Sequence, residues 1–306
     1  MISTLFRLTA RFPLGFLHLA GTVAGKLAFG LSSSYRQRFR DQAAQAGVSW
    51  ADASPAIGQS GCMLAELPWL WARPHDSRLG DLVSWEGAEH IDAALAAGRG
   101  LVILTPHLGS FEIIGQAYAE RWGHRQPMTA MYRPPRKEWL RELVAHARNR
   151  PGLQTAPATL VGVRQMIRAL RSGGTIGLLP DQVPPDGMGV WVPFFGRPAY
   201  TMTLAARLLQ QTGAACLMVS AERLGGRRGY RLRVALPAEP MPGTDAMPMA
   251  GVDAQALAEA GACVVNREME RMIRRLPGQY LWGYHRYKGP RPADGSPAAG
   301  PAGAGS

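Results

Sequence analysis

The spacing of apolar residues changes repeatedly along the chain, and each change marks an element. The stretch FPLGFLHLAGTVAGKLAFGL, residues 12–31, is apolar almost throughout and is interrupted by His18 and Lys26. It is shorter than a comfortable bilayer span of about 20 uninterrupted apolar residues. It reads as a segment that dips into or lies along a membrane surface, with a buried core helix as the alternative. SYRQRFRDQAAQAG then predicts a polar helix closed by Gly47. IGQSGCMLAELPWLWARP predicts an apolar helix ending near Pro74, and GAEHIDAALAAGRG a short one stopping at Gly98.

From LVILTP onward, strand-like and helix-like periods alternate. LVILTP, MTAMYRP and TIGLLPDQ carry the continuous apolar runs of buried strands. FEIIGQAYAERWG, KEWLRELVAHARNR, LVGVRQMIRALRSGG and TMTLAARLLQQTG have helical spacing. ACLMVSAERL and YRLRVALP flank GGRRG and predict a hairpin, and a long helix follows within VDAQALAEAGACVVNREMERMIRRLPG. This order predicts an α/β fold with a mostly parallel central sheet flanked by helices and an antiparallel last hairpin. Three segments are expected: an N-terminal helical, membrane-associating extension over 1–79, one domain over 80–288, and a disordered Gly/Pro/Ala/Ser-rich tail over 289–306.

Charge narrows the partners. The chain of 306 residues carries a net charge of +12, and its pI is about 10.3. Between Arg121 and Arg171 there are eleven Lys or Arg against Glu138 and Glu142 alone. Such a surface suits an anionic lipid, an acidic carrier protein or a nucleic acid, but no nucleic-acid-binding motif accompanies it. Cys62, Cys216 and Cys263 are widely spaced, which argues against a disulfide framework or a zinc ribbon and for a reducing compartment. Arg7 and Arg11 before the apolar segment also fit a signal peptide, which the free thiols disfavour.

Three strand ends hold the candidate chemistry, where open α/β sheets gather their sites. LVILTP runs to His107, MTAMY to Arg133 and TIGLLP to Asp181 and Gln182. His107 with Glu112 five residues later admits two readings. One is a general base whose second nitrogen is held by the carboxylate, with exposed N–H groups at the following helix start to meet an oxyanion. The other is a strand-end histidine beside a capped helix. Neither a G-x-S-x-G elbow nor a phosphate-binding G-x-x-x-x-G-K-[ST] loop is present, so a serine hydrolase and a P-loop nucleotidase lose their signatures. No third ligand near His107 and Glu112 supports a metal site.

TPHLGSFE resembles the His-x4-acid motif of the lysophospholipid acyltransferase superfamily. MYRPPRKEWL, GLLPDQVPPDGMGVWVPFFGRPAYT and QYLWGYHRYKG follow in order. Together these blocks resemble the bacterial lipid A biosynthesis (lauroyl/myristoyl-type) acyltransferases over about Trp85 to Lys288. The resemblance implies a glycerolipid-acyltransferase-like sheet and transfer of an acyl chain to a lipid A precursor hydroxyl. It makes His107 the general base and Glu112 its orienting partner. Arg133 is then placed beside the site, on a phosphate or supporting the dyad, and Asp181 and Gln182 line the acceptor pocket. Trp191, Phe194 and Phe195 become a wall for acyl chains, and Tyr284, His285, Arg286, Tyr287 and Lys288 a headgroup-facing end. No cofactor is implied, only acyl carrier protein or coenzyme A as the acyl-bearing co-substrate. The implied partners are acyl carrier protein, an anionic lipid acceptor and the cytoplasmic face of the inner membrane. A lysophospholipid, ornithine lipid or other glycolipid acceptor is the alternative, and a non-catalytic basic membrane-binding protein the reading from another class.

Overall fold

A computed structural model describes residue 6 and residues 8–132, 144, 150–225, 228–244 and 253–291. The helix expected within KEWLRELVAHARNR therefore falls, apart from Val144 and Arg150, outside the described residues, as do Arg133 and nearly all of the tail.

Four strands form a continuous parallel block that runs to one edge of the sheet: β2 (Leu101–Leu104), β3 (Met128–Tyr132), β4 (Leu153–Pro157) and β5 (Thr175–Leu178). With β1 (Val83–Glu86), β8 (Ala215–Arg223) and β9 (Tyr230–Ala235) they make one seven-stranded sheet in the order β1-β9-β8-β2-β5-β3-β4. Among the described residues of this sheet, β8 and β9 are the one antiparallel strand pair, as the hairpin signal predicts. β1 and β4 are too short and mixed for the apolar-run criterion to detect. A separate ribbon, β6 (Gly189–Phe194) with β7 (Arg197–Met202), occupies sequence expected to be loop and the start of a helix.

All four β2 residues are buried, because both sheet faces are covered. Val102 and Leu104 enter the apolar cluster on one face, Leu101 and Ile103 the cluster on the other. The period-2 alternation of side chains thus divides one apolar run between two cores.

Ahead of the sheet lie α1 (Leu14–Leu31), α2 (Ser33–Gln45), α3 (Trp50–Ala53), α4 (Pro55–Ala65) and α5 (Leu67–Trp71). The expected single apolar helix is broken at Glu66, where a new helix starts with Pro68 in its first turn. α1 crosses α4 on glycines: a Cβ on Gly61 would lie 1.9 Å from the Gly21 carbonyl oxygen. Phe39 and Ala43 of α2, with Ala56 and Ile57 of α4, belong to the same apolar cluster as Val102 and Leu104.

The remaining α-helices among the described residues are α6 (Ala88–Ala97), α7 (Phe111–Trp122), α8 (Leu160–Arg171), α9 (Leu204–Thr212) and α10 (Ala254–Arg275). α6 stops where Gly98 takes φ +67°, the left-handed C-terminal position that glycine fills without strain.

Candidate active site

The sheet register itself assembles the site. β2 and β5 pair in parallel with Leu104 opposite Leu178, and the ladder continues as the Thr105 N–H donates to the Leu178 carbonyl at 3.1 Å. His107 and Asp181 each follow their matched strand end by the same three residues. They meet beyond the carboxyl edge of the sheet. The His107 Nδ1–H donates to Asp181 Oδ1 at 2.7 Å, and the His107 backbone N–H to Oδ2 at 2.9 Å.

Asp181 is 2% exposed, whereas the His107 ring retains 18%. Burial raises the Asp181 pKa, but the charge of His107 and its two hydrogen bonds outweigh that, and the carboxyl is held below its ordinary value. In the neutral imidazole, an Nδ1–H committed to a carboxylate leaves the ring lone pair on Nε2. The Phe111 ring packs against the imidazole, with centroids 4.8 Å apart.

This geometry corrects the expected partner. Glu112 sits in the first turn of α7, and its Oε2 accepts from the Trp71 indole N–H at 3.3 Å, while Asp181 occupies Nδ1. The cause is local. The turn Leu108–Ser110 carries the chain away to start α7 beside α5, whereas parallel register delivers Asp181 to the histidine. Asp181 is therefore not an open pocket-lining group. Gln182, the next residue, is half-buried.

The turn amides also depart from expectation. Leu108 N–H donates to the Pro106 carbonyl, Gly109 N–H to Gln279 at 3.0 Å and Ser110 N–H to Ala221 at 2.8 Å. These three donors are committed to the protein rather than to a reacting oxygen. Gly109 has φ +57°, and a Cβ there would stand 2.0 Å from the Ala221 oxygen, so this turn requires glycine.

The aromatic–basic C-terminal block is structural for the most part. Leu281 N–H donates to the His107 carbonyl at 3.3 Å, and the Tyr284 hydroxyl accepts from Val183 N–H at 2.9 Å, just past Gln182. Arg286, expected at a headgroup-facing surface, is 1% exposed. It donates to the Tyr200 carbonyl and the Thr201 hydroxyl and lies over the Phe194 ring. Burial lowers its pKa, opposed by the charges of Tyr280 and Asp181. Phe194 and Phe195 are core residues, and Trp191 is exposed.

Sequence reasoning missed a second buried group beside the same turn, built on Glu66 and Arg223. Part of its signal was present: Glu66 is a lone charge in the apolar run MLAELPWLW, and a lone buried charge requires a partner, whereas Arg223 follows Glu222 at the end of ACLMVSAER and does not stand out.

Comparison with known proteins places this geometry in a family context. Residues 54–289 match the family described as bacterial lipid A biosynthesis acyltransferase. The lipid A biosynthesis palmitoleoyltransferase of Escherichia coli K12 is 29% identical over 232 residues, which is 74% of this chain and 68% of that protein. The lauroyltransferase of the same organism is 28% identical over the same length and shares. A phosphatidylinositol mannoside acyltransferase of Mycobacterium tuberculosis is 30% identical over 154 residues, 49% of this chain and 47% of that one.

Proposed function

Because the chain belongs to the bacterial lipid A biosynthesis acyltransferase family, we propose that it moves a fatty acyl chain from acyl carrier protein to a hydroxyl of a lipid A precursor. The observation that carries this mechanism is His107, backed at Nδ1 by buried Asp181 with Nε2 left to act. Nε2 takes the proton of the acceptor hydroxyl as its oxygen attacks the thioester carbonyl carbon. The tetrahedral oxyanion then collapses, the C–S bond breaks, and the imidazolium returns its proton to the departing thiolate. No acyl-enzyme forms.

The oxyanion needs donors other than the turn amides. The Phe111 and Glu112 N–H groups lie in the first turn of α7, where helix geometry supplies no intrahelical carbonyl, and the helix dipole favours negative charge there. Arg133 is kept in this proposal as a candidate phosphate or oxyanion contact, and Gln182 as a candidate acceptor contact. Asp181 changes role, from lining the acceptor pocket to positioning the base.

The exposed stripe Phe16, Leu19, Val23, Leu27 and Leu31 of α1 supports attachment to the cytoplasmic face of the inner membrane. α1 is also long and apolar enough to cross a membrane by length and composition. The basic excess between Arg121 and Arg171 suits an acidic acyl carrier protein.

Purified full-length protein with fatty-acyl carrier protein and a tetra-acylated lipid A precursor is expected to give a product one acyl chain heavier by mass spectrometry. The match to a phosphatidylinositol mannoside acyltransferase favours a second reading, the same chemistry on a lysophospholipid or other glycolipid. Acylation of mannosylated phosphatidylinositol or lysophosphatidate, with the lipid A precursor untouched, replaces the first reading by the second.

A further inference from the structure

Glu66, between α4 and α5, is 1% exposed and accepts from five side-chain donors. Arg223, at the end of β8, takes both oxygens, with Nε 2.8 Å from Oε2 and Nη2 2.7 Å from Oε1. The Ser110 hydroxyl donates to Oε1 at 2.7 Å, the Tyr230 hydroxyl to Oε2 at 3.0 Å, and His18 Nε2 from α1 to Oε2 at 3.0 Å.

The network closes on the turn after His107. Arg223 Nη2 also donates to the Gly109 carbonyl at 2.7 Å. Gln279 holds the other side, since its carbonyl accepts from Gly109 N–H. Its side-chain amide brackets the Arg223 backbone with two bonds of 2.9 Å. Both polar backbone groups of Gly109 and the Ser110 hydroxyl are thus fixed by one cluster.

A buried ion pair contributes little net stability compared with apolar residues of the same volume, because desolvation offsets the attraction. Its distinctive effect is to fix geometry. Here, the fixed element is the link between the base and the helix start that would face the oxyanion.

We propose that Glu66 and Arg223 are positioning residues for acyl transfer, a clamp that sets the Gly109–Ser110 turn and so aims His107 Nε2 relative to the first turn of α7. Through His18 the clamp also ties the seating of α1 to that turn. The assignment rests on the acyl-transfer reading above for its catalytic meaning, but not for its geometry.

The test uses full-length protein in detergent, with Ser110→Ala, which leaves the ion pair intact, and Glu66→Gln. In Ser110→Ala, the amides of residues 109–111 should exchange hydrogen about tenfold faster, with β2 and β5 unchanged. Its kcat should fall about tenfold, with KM for acyl carrier protein substrate and lipid held within about twofold. Glu66→Gln should exceed it in both. If Glu66→Gln fails to fold, Ser110→Ala decides.

Wild-type exchange at the turn in Ser110→Ala, or wild-type kcat with acyl transfer otherwise intact, overturns the proposal. So does a uniform loss of protection across the sheet, since that is what a merely structural role predicts. If the unmodified protein moves no acyl chain, the acyl-transfer reading falls instead, and the exchange measurement alone decides the clamp.

Discussion

Asp181 and Glu66 are both buried carboxylates beside the same short turn, and they are satisfied in opposite ways. Asp181 takes two bonds, both from His107, and that histidine remains partly open to solvent. Glu66 takes five, from α1, the turn, β8 and β9; the donors from the turn, β8 and β9 are buried, and only His18, 22% exposed, reaches solvent. The first arrangement transmits charge to a group that faces outward. The second spreads its bonds over four elements and ends most of them inside the protein. Counting where the donors lead separates a carboxylate held by one residue from a carboxylate held by four elements, where burial alone does not.

The largest test of this contrast is on the open side. His107→Ala should reduce turnover about 10³-fold, measured by mass spectrometry of the lipid product, and should lower the melting temperature modestly, because buried Asp181 keeps only its bond from the backbone N–H of residue 107. Next comes the choice of partner. Asp181→Asn keeps the shape but removes the charge behind Nδ1, and should cost about 10²-fold in kcat. Glu112→Gln, whose carboxylate accepts from Trp71, should cost less than about tenfold. Equal or reversed losses would return Glu112 to the role that Asp181 holds in the structure.

On the closed side, a loss of stability joins the loss of rate. Glu66→Ala leaves Arg223 buried without its carboxylate and should destabilise by about 3 kcal/mol, read from chemical denaturation. The pH dependence has a definite sign. Burial raises the Glu66 pKa, but the charge and hydrogen bonds of Arg223, with His18 and Ser110, outweigh it and bring it to about 2. A carboxyl lowered by folding stabilises the protein above its unfolded value and loses that contribution as pH falls. Stability should therefore drop between the ordinary glutamate value of 4.5 and about 2, and Glu66→Gln should flatten that part of the curve.

The same contrast explains what the sequence disclosed. The sheet was legible because β2 is buried throughout, β5 at three of four positions and β3 at its start, so that their sequences are mostly apolar. The β8–β9 hairpin was legible from its turn. β6 and β7 were not, since Pro193, Pro198 and Phe195 make that ribbon read as loop, and its burial comes from α10 and the Arg286 cluster. His107 was visible as a polar residue at a strand end. The contact of Asp181 with His107 was not foreseen, because the pairing of Leu104 with Leu178 is a relation between strands distant in sequence. Spacing along one segment favoured Glu112, and only register could select the other acid.

The smallest expected effect concerns the outermost donor to Glu66. α1 can sit close enough for His18 to reach only because Gly21 and Gly61 let the two backbones touch. Gly61→Ala must push α1 outward, since its Cβ would overlap the Gly21 carbonyl at 1.9 Å. Cys62, which bonds to the His18 carbonyl and contacts Thr22, loses its cover in that shift. Its reaction with a maleimide should quicken at least about tenfold, while turnover changes less than about threefold, because four of the five donors to Glu66 remain. A large loss of turnover in this variant would show that His18 is not peripheral and that α1 governs the turn directly. The two carboxylates would then differ less than their donor counts imply, and the closed cluster would itself respond to how the N-terminal helix is seated.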